Sequence, residues 1–177
     1  MKAQIKLYVK QFLAFAFLYG AISLVFAFFD IEHLNIGSLV IKSLVIGILF
    51  SLVVVSIHIS NLIELGVKEM TDKTLSVHQT ALISKDISKD ALLNILKEDP
   101  ITASYKIQQK LNSIVLSTGL SISSWGETIE VHWHDVKAGV SQISISSKPR
   151  FALTTLDYGK NIKNVNLIKN LAMKTYV

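Results

Sequence analysis

The chain has no cysteine, which excludes a disulfide scaffold, a thiolate zinc site and a cysteine nucleophile. Charge is scarce: 18% of residues are Asp, Glu, Lys or Arg, where an ordinary soluble domain carries about a quarter. Two prolines and eight glycines in 177 residues leave no basis for a collagen-like chain. P-loop, G-x-S-x-G, H-E-x-x-H and dinucleotide-binding patterns are missing, as are paired carboxylates in a catalytic context. No enzyme and no cofactor is therefore expected. Apolar residues are abundant, half of the chain, with a mean hydropathy of +0.45. Such a composition argues against disorder and for partial membrane embedding, with room for one modest soluble domain.

The apolar residues are concentrated at the front. Residues 11–29 hold no charge across 19 positions, and residues 43–63 hold none across 21. A helix needs about 20 residues to cross the hydrocarbon core, so both runs qualify. The first is longer than a signal-peptide core and no clear A-x-A site follows it, which favours a two-helix transmembrane hairpin over residues 1–65. Lys2, Lys6, Lys10, Lys68 and Lys73 flank the outer ends of the two spans, and Lys42 alone lies by the connection. That asymmetry predicts a multi-pass protein with both termini in the cytoplasm. Lys42 reads as a boundary residue whose ammonium snorkels to headgroups. A proton-relay role for His58 would need an acidic or basic residue at the same depth, and the sequence of neither uncharged span shows one. Ala16 with Gly20 and Gly47 with Ser51 are small-residue pairs that permit close helix approach.

After a linker over 66–74, residues 75–177 read as an α+β domain. The pattern predicts a strand in the first part of Leu75 to Ile87, then a helix over Lys89 to Lys97 capped by Ser88 and ended by Asp99-Pro100. Strands are expected near 105–109, over 114–122, over 127–134 and over 142–147, with a hairpin loop at Asp135 to Gly139. Leu116, Thr118, Leu120 and Ile122 share a face, as do Ile129, Val131 and Trp133, and Ile143 with Ile145. A final amphipathic helix begins near Asn161, read as its N-cap, with Ile162, Val165, Ile168, Leu171 and Ala172 inward. The expected fold is a small antiparallel sheet with two covering helices, helix-grip-like.

Four stretches carry a resemblance: Leu75-Ser-Val-His-Gln-Thr80, Ser124-Trp-Gly-Glu-Thr-Ile129, Ser146-Ser-Lys-Pro-Arg150 and Asp157-Tyr-Gly-Lys-Asn161. In this order they resemble a family of small, uncharacterised bacterial membrane-associated domains with SVHQT, SWGE, SSKPR and DYGKN motifs. The likeness covers residues 75–171 and omits the hairpin. It implies a bacterial inner-membrane setting and a fold, with no settled activity. Arg150 to Leu153 lacks the second proline that the family pattern leads one to expect.

Residues 137–177 carry seven basic side chains against Asp157 alone, whereas residues 66–136 carry seven basic and nine acidic. A basic end tethered beneath an anionic leaflet is attracted to it by about 1 kcal/mol per lysine near the surface. Membrane lipids are thus the expected partner, and Lys148, Arg150, Lys160 and Asn161 the candidate ligand-binding residues. Lys160 and Asn161 at the helix start suit an anion such as a phosphate headgroup, beside the plainer reading of a turn leading into a helix. Nucleic acid is not expected, since no recognition-helix, RNP or zinc-finger pattern occurs. His132 and His134 share a strand face at ligand spacing, but need a third ligand such as His78 or Glu130, so no metal is predicted. Trp125 and Trp133 read as turn or core residues, with a ligand pocket as the alternative.

Two functions follow. In the first, the domain is a binding module that holds a lipid in an apolar cavity lined by the inward faces of 116–122, 129–133 and 143–145. In the second, it is a structural or interaction subunit of a larger membrane protein complex, with a filled core and an exposed apolar patch.

Overall fold

The structure, a computed structural model, describes residues 1–29, 35–121, 124–134 and 142–174. Two compact units divide the chain, Met1–Leu75 and Ser76–Val177.

The first unit is a helical hairpin of α1 (Lys2–Phe29) and α2 (Ile36–Glu64). At 28 and 29 residues they rise about 42 and 44 Å, and their most apolar windows have mean hydropathies of 2.3 and 2.6. Both are long and apolar enough to cross a membrane. They extend beyond the uncharged runs, so that Lys42 lies nearly two turns inside α2, exposed. Asn35 starts α2, its Oδ1 accepting from the Ser38 amide at 2.9 Å. Small residues bring the helices together. A Cβ added at Gly47 would lie 2.9 Å from both the Ala16 Cβ and the Phe12 carbonyl oxygen. Ala16 and Gly47, one from each small-residue pair, therefore pack on each other. Phe15 meets Phe50 with ring centroids 5.5 Å apart, and the Tyr8 and Ser56 hydroxyls are 3.0 Å apart. His58 is fully buried, while Phe17, Phe26, Leu49 and Phe50 point outward. That outer surface suits lipid and would promote aggregation in water.

The second unit is α+β. Its strands are β1 (Gln79–Ser84), β2 (Lys106–Gln109), β3 (Ser113–Ser117), β4 (Glu127–His134) and β5 (Gln142–Pro149), with α3 (Lys89–Glu98) after β1 and α4 (Lys160–Met173) at the end. They form one antiparallel sheet in the order β1-β5-β4-β3-β2. The first strand lies beside the last and the closing helix covers the same face, the helix-grip-like order. Period-two alternation explains the register. Ile83 pairs with Ile143, Ile145 with both Ala81 and Val131, and Ile129 with Leu116, so each row places apolar side chains on one face. Leu92 and Leu96 of α3, with Val165, Ile168 and Leu171 of α4, pack on that face in a single core. Full burial of each large aliphatic contributes about 1.5–3 kcal/mol. The opposite face is polar, bearing Thr128, Glu130, His132 and His134 of β4 beside Ser144 and Ser146 of β5.

Ser88 caps α3 by accepting from the Ala91 amide at 3.1 Å, and Asp99 follows its last turn. Several boundaries differ from expectation. Strand β1 begins at Gln79, because the hydroxyls of Thr71 and Thr74 and the Ser76 side chain hold 71–78 in turns instead. Strand β3 stops at Ser117. Gly119 and the isolated Ser121–Ser124 bridge turn the chain, which leaves Leu120 72% exposed rather than inward. Ile122 and the loop expected at Asp135 to Gly139 lie outside the described residues.

Candidate ligand site at one end of the sheet

At the end of the sheet where β1 and β4 begin, β3 and β5 finish. Gln79 pairs with Ser147 and Glu127 with Pro149. The Thr118 amide donates to the Glu127 carbonyl at 3.0 Å and the Arg150 amide to that of Gly126 at 2.9 Å. Helix α4 starts here too, so parts of all four stretches singled out in the sequence, through Gln79, Glu127, Ser147 and Asn161, come to this end of the sheet. Two local geometries make this happen. Gly126 has φ +87°, and a Cβ there would approach the Thr118 carbonyl oxygen to 3.0 Å, so only glycine suits the turn. At the second turn Tyr158 and Gly159 have φ 53° and 79°, and the Asp157 carboxylate accepts from the amides of Gly159 (3.2 Å) and Asn161 (2.9 Å). Gly159, not Asn161, thus occupies the N-cap position. The Asp157 side chain does the capping.

Asn161 is fully buried. Its Nδ2 donates to Asp157 at 2.8 Å and its Oδ1 accepts from the Ser147 hydroxyl at 2.6 Å, which in turn accepts from Asn164 at 3.3 Å. This network joins α4 to β5 and engages both ends of the Asn161 amide, which is shielded from solvent.

Beside it is a cavity of about 330 Å³ lined by Ile101, Tyr105, Thr118, Leu120, Glu127, Lys160, Lys163 and Leu167, among others. Glu127 is 4% exposed. It accepts from the Thr118 hydroxyl at 2.5 Å and from the Ser124 hydroxyl, while its own amide donates to the Thr118 oxygen at 2.7 Å. Burial, and then the charges of Glu127 and Asp99, raise the Tyr105 hydroxyl above its ordinary pKa. Lys160 opens α4 with its ammonium on the Ser121 hydroxyl. Lys163, one turn on, is exposed.

No protein-family model, curated protein or solved structure matches this chain. The geometry alone carries the reading that follows.

Outside the cavity the same end bears an apolar surface. Trp125 is 67% exposed, Leu153 76% and Phe151 49%, and the Trp125 and Phe151 rings meet at 6.1 Å. Lys148 is exposed on the polar sheet face opposite Thr128, and the exposed Arg150 lays its stem against Gly126. Of the residues singled out by sequence, Lys148, Arg150 and Lys160 flank this surface, and Asn161 lies beneath it. Of the faces 116–122, 129–133 and 143–145 expected to line a lipid cavity, Thr118 and Leu120 line the cavity described above, whereas the central residues pack as filled core. Leu116, Ile129, Val131, Ile143 and Ile145 are all 0% exposed under the helices.

Trp133 is a core residue whose Nε1 donates to the Ile87 carbonyl at 3.0 Å. His132 and His134 stack at 4.6 Å on the polar face and His134 pairs with Ser144 at 2.8 Å. Among the described residues, no three His, Asp or Glu side chains are grouped to hold a metal. Sequence reasoning passed over Glu127, although its parity with Ile129, Val131 and Trp133 places it on the inward face. Tyr105 and Lys163 gave no comparable signal, because only the fold brings residues 101–105 against α4.

Proposed function

We propose that this chain is a membrane-anchored, non-catalytic binding module of a bacterial inner membrane, multi-pass with both termini cytoplasmic, whose domain engages lipid at the inner leaflet. One observation carries the reading. The chain leaving α2 enters the sheet at Gln79, the same end that bears Trp125, Phe151, Leu120 and Leu153 among Lys148, Arg150 and Lys160. Only residues 65–78 separate α2 from β1, and they reach at most about 50 Å when fully extended. The acids of the same segments, Glu127 and Asp157, are buried at 4% exposure each, so the outer charge there is cationic. Exposed aromatic and aliphatic side chains amid Lys and Arg suit an anionic bilayer interface. A filled core with an exposed patch also suits a subunit docked on a larger membrane protein complex. The surrounding cations favour lipid as the surface it meets.

The test is hydrogen exchange on the full chain in nanodiscs. Amides of 118–126 and 150–154 should exchange more slowly in phosphatidylglycerol-containing discs than in pure phosphatidylcholine discs. Lys148→Glu with Arg150→Glu should abolish the difference. Equal exchange in both discs for the wild type would contradict the proposal.

A further inference from the structure

A buried charge is ordinarily paired, because leaving it in low dielectric without a counter-ion is costly. Glu127 departs from this rule. Its two carboxylate oxygens take hydroxyl donors, and among the described residues no Lys or Arg forms an ion pair with it. It also lines a cavity rather than packed core. The cavity has cations elsewhere, at Lys160 and Lys163 of the first turn of α4, and apolar walls of Ile101, Leu120 and Leu167. Its chemistry is thus divided: an acceptor of positive charge on one wall, donors to negative charge on another, and aliphatic surface leading outward. At about 330 Å³ it holds a headgroup-sized molecule.

We infer that this cavity binds a phosphoethanolamine group, its ammonium on Glu127 and its phosphate between Lys160 and Lys163. The inference rests on the leaflet-binding reading above and names the lipid. A primary ammonium supplies three N–H donors to a carboxylate that has none from a cation, and a quaternary choline supplies none. Acyl chains would leave past Leu120 and Ile101, which are 72% and 50% exposed. A free glycerophosphoethanolamine carries the same group, and the test separates the two sources.

The full-length protein in detergent is titrated by native mass spectrometry with phosphatidylethanolamine, with phosphatidylcholine and phosphatidylglycerol of the same chains, and with glycerophosphoethanolamine. Phosphatidylethanolamine should bind at least about tenfold more tightly than phosphatidylcholine, a difference of about 1.4 kcal/mol. Glu127→Gln should remove that preference, and Lys163→Ala, an exposed change that spares the fold, should weaken phosphatidylethanolamine several-fold. Glycerophosphoethanolamine bound as tightly as the lipid supports the inference with the free compound as its source; binding of the lipid alone supports it with the bilayer as source. Equal retention of phosphatidylethanolamine and phosphatidylcholine, or a preference unchanged in both variants, overturns it. Retention of phosphatidylglycerol alone also overturns it, while leaving the leaflet-binding reading intact.

Discussion

Replacing Asn161 with alanine is the most demanding perturbation of the site's architecture. The side chain donates to the Asp157 carboxylate at 2.8 Å and accepts from Ser147 at 2.6 Å, with no exposure to water. A hydrogen bond to a charged group contributes about 1.5–3 kcal/mol and a neutral one about 1. The buried Ser147 hydroxyl and Asp157 oxygen would both lose a partner that water cannot replace. We expect a loss of about 3–4 kcal/mol, a large part of the roughly 5–15 available to a domain of this size. Lys160→Ala, at the neighbouring position, removes a half-buried side chain whose ammonium meets the exposed Ser121 hydroxyl, and should cost under about 1 kcal/mol. The assay is urea unfolding of the full chain in detergent, followed by tryptophan fluorescence. Both tryptophans, Trp125 and Trp133, lie in the second unit, so the hairpin is silent. A loss below 1 kcal/mol for Asn161→Ala, or one no larger than that of Lys160→Ala, would refute the assignment of Asn161 to the scaffold.

Three further outcomes are expected. Gly47→Leu drives a side chain into Ala16 and Phe12 and should separate the hairpin helices; spin labels at Tyr8→Cys and Ser56→Cys, specific because the chain has no cysteine, would report a longer distance by electron resonance. Gly126→Ala places a Cβ at φ +87° and 3.0 Å from the Thr118 carbonyl oxygen, costing about 1–3 kcal/mol in the same urea assay. The Thr102 amide holds the Asp99 carboxyl below its ordinary pKa against the opposing cost of burial, with a lesser contribution from the Ile101 amide. A lowered folded pKa means that this stability is fully present above the ordinary carboxyl value and is lost as pH falls below it toward the folded one. Thermal melts of Asp99→Asn should therefore lose less stability than the wild type over that acidic interval.

Much of the fold was legible because its signals are local. The uncharged runs mark the hairpin, and period-two alternation over Glu127 to His134 and Gln142 to Ser147 fixes two central strands. Ser88 reads correctly as a cap because its hydroxyl meets an amide three residues on. The alternation failed at Leu120, where the strand ends in a turn although the apolar spacing continues. The N-cap was expected two residues late, at Asn161, because a Gly in left-handed conformation, with Asp157 behind it, can start a helix in its stead. The cavity was the least legible feature. Tyr105, Thr118, Glu127 and Lys163 are far apart in sequence, and each reads there as an ordinary strand or helix residue. Only the pairing of β3 with β4 and the docking of α4 make them neighbours.

The claim that one end of the sheet meets the leaflet is tested most directly by quenching Trp125 in nanodiscs of phosphatidylglycerol and phosphatidylethanolamine carrying brominated acyl chains. Subtracting the emission of the Trp125→Phe protein isolates the signal of this residue from that of Trp133. The account predicts that bromines near the headgroups quench Trp125 strongly and that aqueous acrylamide reaches it poorly. A Trp125 emission untouched by brominated lipid and fully open to acrylamide would contradict it.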